Sequence, residues 1–125
     1  SIVSIRANLH SSRERRLYMG EVHAIVAIVE RGKADYVVER AKEFGAGGAT
    51  ILFGRGTGQE EFQRMFHHLH VEASKEIIII LCTETKLEQI LEAVVEAGKL
   101  REPGRGIAFT FPISNLVGLE YRRSL

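Results

Sequence analysis

The chain has 125 residues, of which 45% are hydrophobic and 26% charged, a size and composition that fit one compact domain and leave no room for two. Its 17 lysines and arginines nearly balance its 16 acidic residues, which argues against a protein built mainly to bind nucleic acid. The single cysteine, Cys82, excludes a disulfide within the chain and fits a reducing compartment, so we expect a cytoplasmic protein. Its apolar runs are far shorter than the roughly 20 residues of a membrane-spanning helix, and we expect no membrane insertion.

The charge is not evenly distributed. Residues 1–20 contain four arginines and one glutamate, whereas the remainder is mildly acidic. We therefore expect residues 1–20 to be an N-terminal arm, a cloning remnant or the tail of a longer parent chain, and residues 21–125 to form the folded domain.

The first half of this domain predicts a strand, a helix and a second strand. Residues 22–29 are almost continuously apolar and rich in β-branched side chains, which is typical of a central strand. Between residues 33 and 44 the apolar side chains recur at three- and four-residue steps and so share one face of a helix. Gly45 occupies the position of a left-handed C-terminal cap, and residues 49–53 predict the second strand.

The second half follows the same order. Residues 75–82, with four consecutive isoleucines, predict a third strand that is buried on both faces. The sequence Thr-Lys-Leu-Glu at residues 85–88 matches a capping box, and the helix it begins is expected to end at Gly98. Residues 107–113 alternate as a half-covered strand does, and Pro112 indicates an edge or a bulge.

The two halves form an internal repeat. When Lys33 is aligned with Lys86, the apolar positions of both helices coincide, and Gly45 falls on Gly98. Two strand-helix-strand units predict an α+β, ferredoxin-like βαββαβ fold, with a four-stranded antiparallel sheet and both helices on one face. Because the other sheet face would be apolar, we expect the sheets of several copies to pack together.

Two glycine-rich segments could bind an anion. One contains Arg55 and Gly56 after the second strand, and the other runs from Gly98 to Gly106 before the fourth. Glycine lets backbone N–H groups approach an anion, and a guanidinium can bind two phosphate oxygens. Neither segment is a Walker loop or a dinucleotide fingerprint, and the same glycines could simply shape turns.

Three histidines offer a different hypothesis. His67, His68 and His70 follow a stretch with helical spacing, and with a ligand from another chain they could bind a divalent metal. The alternative is an ordinary packing stripe with solvated or core histidines. We find no catalytic constellation in the sequence and do not expect an enzyme.

In the order and spacing of its glycine blocks, the chain resembles the P-II family of nitrogen-regulatory signalling proteins, and specifically its P-II-like branch. The resemblance rests on residues 44–58, on the strand at residues 75–81 and on residues 97–109, and it covers about residues 21–119. It implies a homotrimer whose lateral clefts bind adenine nucleotides such as ATP, ADP or AMP as effectors, sometimes together with 2-oxoglutarate. It also implies nitrogen regulation through a target enzyme or transporter, contacted by the loop between strands two and three, without an obligatory cofactor.

Individual positions can be carried over from the family. Gly48, Ala49 and Thr50 resemble the segment that contacts the base and ribose. The phosphate-binding loop is matched by five residues: Gly98, Lys99, Gly104, Arg105 and Gly106.

The chain also departs from the family pattern. Gly118 and Glu120 stand where the family carries arginines, so affinity for a triphosphate should be reduced. No tyrosine lies between Gly56 and Ser74, so nucleotidylation has no acceptor in this loop. The alternatives to a P-II-like regulator are a CutA-like metal-binding trimer, with His67, His68 and His70 as ligands, and a bare oligomerisation module.

Overall fold

A computed structural model of the chain describes residues 22–57 and 74–118. The predicted arm at residues 1–20 lies outside these ranges. Both predicted helices and all four predicted strands are present. In chain order they are β1 (Val22–Glu30), α1 (Ala34–Glu43), β2 (Thr50–Arg55), β3 (Ser74–Thr83), α2 (Glu84–Gly98) and β4 (Gly106–Pro112).

The strands form one antiparallel sheet in the order β2-β3-β1-β4. This order places β2 and β4 at the two edges, which confirms the edge position that Pro112 indicated. Both helices pack against the same face of the sheet and against each other. The predicted ferredoxin-like α+β fold is therefore confirmed.

The core lies between this sheet face and the two helices. Alternate residues of the central strands point into it, and the helices contribute the apolar positions that the three- and four-residue spacing predicted. All of these core side chains are at most 1% exposed: Ile25, Ala27, Val29, Val37, Ala41, Ile78, Ile80, Cys82, Ile90 and Val94.

The other face of the sheet carries no helix within the described residues. The single chain buries β3 on one face: Ile78 and Ile80 are fully buried, whereas Ile77, Ile79 and Leu81 are half-buried, and burial of the second face by other copies stays a prediction. The register shows why, because these three side chains lie opposite residues of β1 and β2 on the sheet face that carries neither helix. We call this surface the open sheet face; it comprises Val26, Ile28, Leu52, Ile77, Ile79, Leu81, Ile107, Phe109 and Phe111.

The helix ends differ in detail from the predicted ones. The capping box at residues 85–88 is wrong: α2 begins at Glu84, directly after β3, and its N-cap Thr83 makes no side-chain capping bond. Gly45 has φ of 114°, as a left-handed cap requires, and its N–H bonds to the Lys42 carbonyl at 3.1 Å. At the end of α2 the left-handed residue is Lys99, with φ of 55°.

The first turn of α1 is capped by a side chain from the sheet. Lys33, at the N-cap position, makes no side-chain capping bond. Instead, the Ala34 N–H donates to a carboxylate oxygen of Glu76 on β3, at 2.8 Å. The negative charge also lies at the positive end of the helix dipole, so this contact links α1 to the sheet.

This contact makes a stability prediction. We expect Glu76→Ala to lower the free energy of unfolding by about 1 kcal/mol, because the Ala34 N–H loses its acceptor. Glu76→Gln, which keeps an oxygen acceptor without the charge, should lose less. Glu39→Ala on the solvent side of α1 is the control and should have little effect. Urea denaturation measures all three, and equal losses for Glu76→Ala and Glu39→Ala would contradict the capping role.

Candidate functional site

The loop that joins α2 to β4, residues 98–106, is shaped by residues with positive φ. Lys99 has φ of 55°, Gly104 of 79° and Gly106 of 145°. A Cβ atom on Gly106 would lie 2.1 Å from the carbonyl oxygen of Ile28, so β4 can begin here only with glycine. The loop is thereby held against the end of β1.

This register brings Arg105 next to Glu30. Gly106 pairs with Val29 in the antiparallel sheet. Arg105, which precedes Gly106, therefore lies beside Glu30, which follows Val29. The Arg105 Nη1 atom lies 3.2 Å from a Glu30 carboxylate oxygen, and its Nε atom lies 3.1 Å from a carboxylate oxygen of Glu102. The hydrogen bond to Glu30 and the negative charges of both carboxylates raise the pKa of Arg105, which stays protonated. We call Glu30, Glu102 and Arg105 the loop ion cluster.

Other cations of the region are placed differently. Arg101 bonds to Glu92 on α2 at 3.0 Å, and that bond raises its pKa. Lys99 is exposed and makes no ion pair with any residue in the described ranges. Arg55, exposed at the end of β2, lies at the same end of the sheet as the loop ion cluster.

The second predicted half of the nucleotide site lies at the other edge of the sheet. Gly48 and Ala49 lead into β2, where Thr50 is exposed. Strands β3 and β1 separate β2 from β4, so the two edges are about 14 Å apart at ordinary strand spacing. One chain therefore does not bring Thr50 and Arg105 together, and a site that uses both needs two subunits.

The remaining candidates contribute no site within the described residues. His67, His68 and His70 lie outside them, and residues 22–57 and 74–118 contain no cluster of three or more metal-binding side chains. Cys82 is buried in the core, and burial raises the pKa of its thiol. The protonated thiol is a poor nucleophile. No helix in the described part of the chain has the length and apolarity to span a membrane.

The sequence reasoning missed both carboxylate partners of Arg105. Glu30 is 75 residues away in sequence, and only the β1–β4 register brings it close. The sequence did contain a signal for one of them: Glu102 lies three residues from Arg105 inside the glycine-rich loop, whereas Glu30 only follows the predicted first strand.

Comparisons with known proteins agree with this architecture. The family model described as "Nitrogen regulatory protein P-II" matches residues 22–122. Among solved structures, the crystal structure of Arabidopsis thaliana PII bound to citrate superposes with a TM-score of 0.60 at 21% sequence identity, covering 75% of this chain and 78% of that one. No curated protein matches the sequence.

The sheet and its two helices define a ferredoxin-like α+β protein, a class that the plant structure shares. Because the family model covers most of the chain, the chain belongs to the P-II nitrogen regulatory protein family. It is a P-II-like regulatory protein, and the CutA alternative receives no support from these comparisons.

Proposed function

We propose that the protein is a homotrimeric regulator that binds an adenine nucleotide, or a similar small anion, in clefts between subunits. Nucleotide binding would change the conformation of the segment between β2 and β3, and this segment would contact a target enzyme or transporter in the cytoplasm. Family membership supports a role in nitrogen regulation. The citrate of the plant PII structure, a small polyanion, supports the class of effector.

One observation carries the proposal: the two predicted halves of the site lie at opposite edges of one sheet. When open sheet faces pack together, the β2 edge of one subunit can approach the β4 edge of the next. Gly48, Ala49 and Thr50 would then contact the base and ribose, while Lys99 and Arg105 of the neighbouring subunit would contact the phosphate. The glycines at 98, 104 and 106 would allow the loop backbone to come close to the phosphate oxygens.

Arg55 and Gly56 have a different place in this proposal. They lie where β2 leads into the segment that would contact the target. An anion bound beside Arg55 would favour one conformation of that segment over another, which is what transmission of a signal requires.

Calorimetry with ATP, ADP, AMP and cyclic AMP tests the proposal. We expect at least one nucleotide to bind, and we expect Arg105→Ala to weaken it about tenfold or more, because a charged hydrogen bond to phosphate is lost. Arg101→Ala is the matched control, since it removes the same charge from the same loop but from a side chain bonded to Glu92. Absence of heat with all four nucleotides would refute nucleotide binding.

A further inference from the structure

The loop ion cluster holds more negative than positive charge. Arg105 contributes one positive charge, and Glu30 and Glu102 contribute two negative ones. Their side chains are 36% and 54% exposed, so their charges act on a ligand at a dielectric constant close to that of water. A phosphate that approaches Arg105 therefore also approaches Glu30 and Glu102, whose carboxylates are already bound to the guanidinium.

We propose that Glu30 and Glu102 determine which anions the cleft accepts, favouring a ligand with a single phosphate over a triphosphate. The inference rests on the proposed function, because it concerns the same cleft. It assigns the selectivity to two residues that act through Arg105 and through their own charge.

The geometry indicates that the two carboxylates leave Arg105 able to bind a phosphate and do not simply block it. Glu30 accepts a hydrogen bond from Nη1 and Glu102 accepts one from Nε, so two donor groups of the guanidinium are engaged. The Nη2 group makes no hydrogen bond to a described residue and can donate to a ligand oxygen while both carboxylates stay bound. One phosphate group can use this donor together with the exposed ammonium of Lys99.

Additional phosphates gain little from this cluster. With Lys99 added, the loop ion cluster has a net charge of zero. Each further negative charge on the ligand is repelled by the carboxylates, and the cluster has no further cation to offset that repulsion. At about 6 Å in water, one carboxylate changes the affinity of one ligand charge by about threefold. ATP carries about two more negative charges than AMP, so each glutamate should disfavour ATP relative to AMP by about tenfold.

The test uses charge-neutral variants that keep the shape of the side chain. Calorimetry in low salt with a chelator compares AMP and ATP binding to the full chain and to Glu30→Gln, Glu102→Gln and the double variant. Glu92→Gln is the matched control, because that carboxylate pairs with Arg101 at the edge of the same region. Circular dichroism checks that each variant is folded.

We expect each cluster variant to lower the ratio of the ATP to the AMP dissociation constant by about tenfold and Glu92→Gln to leave it unchanged. The effect should shrink in 0.5 M salt, where screening acts within about 4 Å. A ratio that stays the same in the double variant, with nucleotide still bound, would overturn the inference and leave the proposed function intact.

Two other outcomes separate the two proposals. If neither nucleotide binds to the natural chain or to any variant, both are overturned. If the natural chain binds AMP and only the double variant also binds ATP, the selectivity role and the proposed function are both supported. A cluster variant that binds ATP more weakly than the natural chain when magnesium replaces the chelator would also overturn the inference, because the carboxylates would then be attracting a metal-bound triphosphate.

Discussion

Gly106→Ala is expected to destabilise the protein by about 3 kcal/mol and to lower its melting temperature by about 12 °C or more. Two effects add at this position. The φ of 145° is unfavourable for any side chain, and the new Cβ would lie 2.1 Å from the Ile28 carbonyl oxygen. That oxygen belongs to the central strand β1, which pairs on both sides and cannot move away easily.

Two other glycines provide graded controls for this substitution. Gly104 has φ of 79°, but a Cβ atom there would have no other atom within 4 Å, so alanine should show backbone strain alone, about 1 kcal/mol. Gly48 also has open space and no unfavourable φ, so alanine should be nearly neutral. Thermal and urea denaturation rank the three variants. A Gly106→Ala protein that melts within about 2 °C of the natural one would refute the close approach of β4 to β1.

The same substitution has a functional consequence. Gly106 fixes the register that brings Arg105 to Glu30, so a shifted β4 would separate the loop ion cluster. Where Gly106→Ala still folds, its ligand selectivity should therefore resemble that of Glu30→Gln. Stability and selectivity at this loop depend on one backbone contact.

Most of the fold was predictable because its signals are local. The helical spacing of Val37, Ala41, Ile90 and Val94 identifies the buried positions of the helices without knowledge of the partner elements. The alternation in β4 identifies its two faces but not the buried one, because its large apolar side chains lie on the open sheet face and are exposed in the single chain. The start of α2 was not predictable in the same way. The Thr-Lys-Leu-Glu sequence favours a cap at Thr85, but β3 extends through Thr83 and the helix follows it without a loop.

The candidate site was only half predictable. The glycine-rich loop and its cations are contiguous in sequence, and their positive-φ residues are where a tight loop needs them. The carboxylate of Glu102 lies three residues from Arg105 in the same loop and could have been paired with it from the sequence. Glu30 was not predictable, since it lies 75 residues from Arg105, and neither was the helix cap by Glu76, which is 42 residues from Ala34. Contacts of this kind depend on the strand register, which a local pattern does not determine.

The open sheet face leads to the second large prediction, which concerns assembly. Nine large apolar side chains share this face, and Phe109 and Phe111 remain 45% and 43% exposed in the single chain. Monomeric proteins rarely expose so large a contiguous apolar surface. We therefore expect the natural chain to sediment as a trimer in which the open faces are buried together.

A charge on this face should dissociate the trimer. Phe109→Lys removes an apolar contact and would bury an unpaired ammonium in each interface, which should weaken assembly by about 3 kcal/mol per subunit. Phe109 lies on an edge strand outside the buried core, so the subunit itself should still fold. Adding Leu52→Lys on the opposite edge strand should complete the dissociation, and sedimentation velocity measures both.

Tyr36→Lys is the control for this experiment. Tyr36 is 55% exposed on α1, on the helix side of the sheet, so the same aromatic-to-lysine change should leave the trimer unaltered. Because the proposed cleft requires the β2 edge of one subunit and the β4 edge of another, dissociation should also abolish nucleotide binding, although Lys99 and Arg105 are unchanged. A natural chain that sediments as a monomer would contradict the predicted assembly. A monomeric double variant that still binds nucleotide would show that the site does not need two subunits.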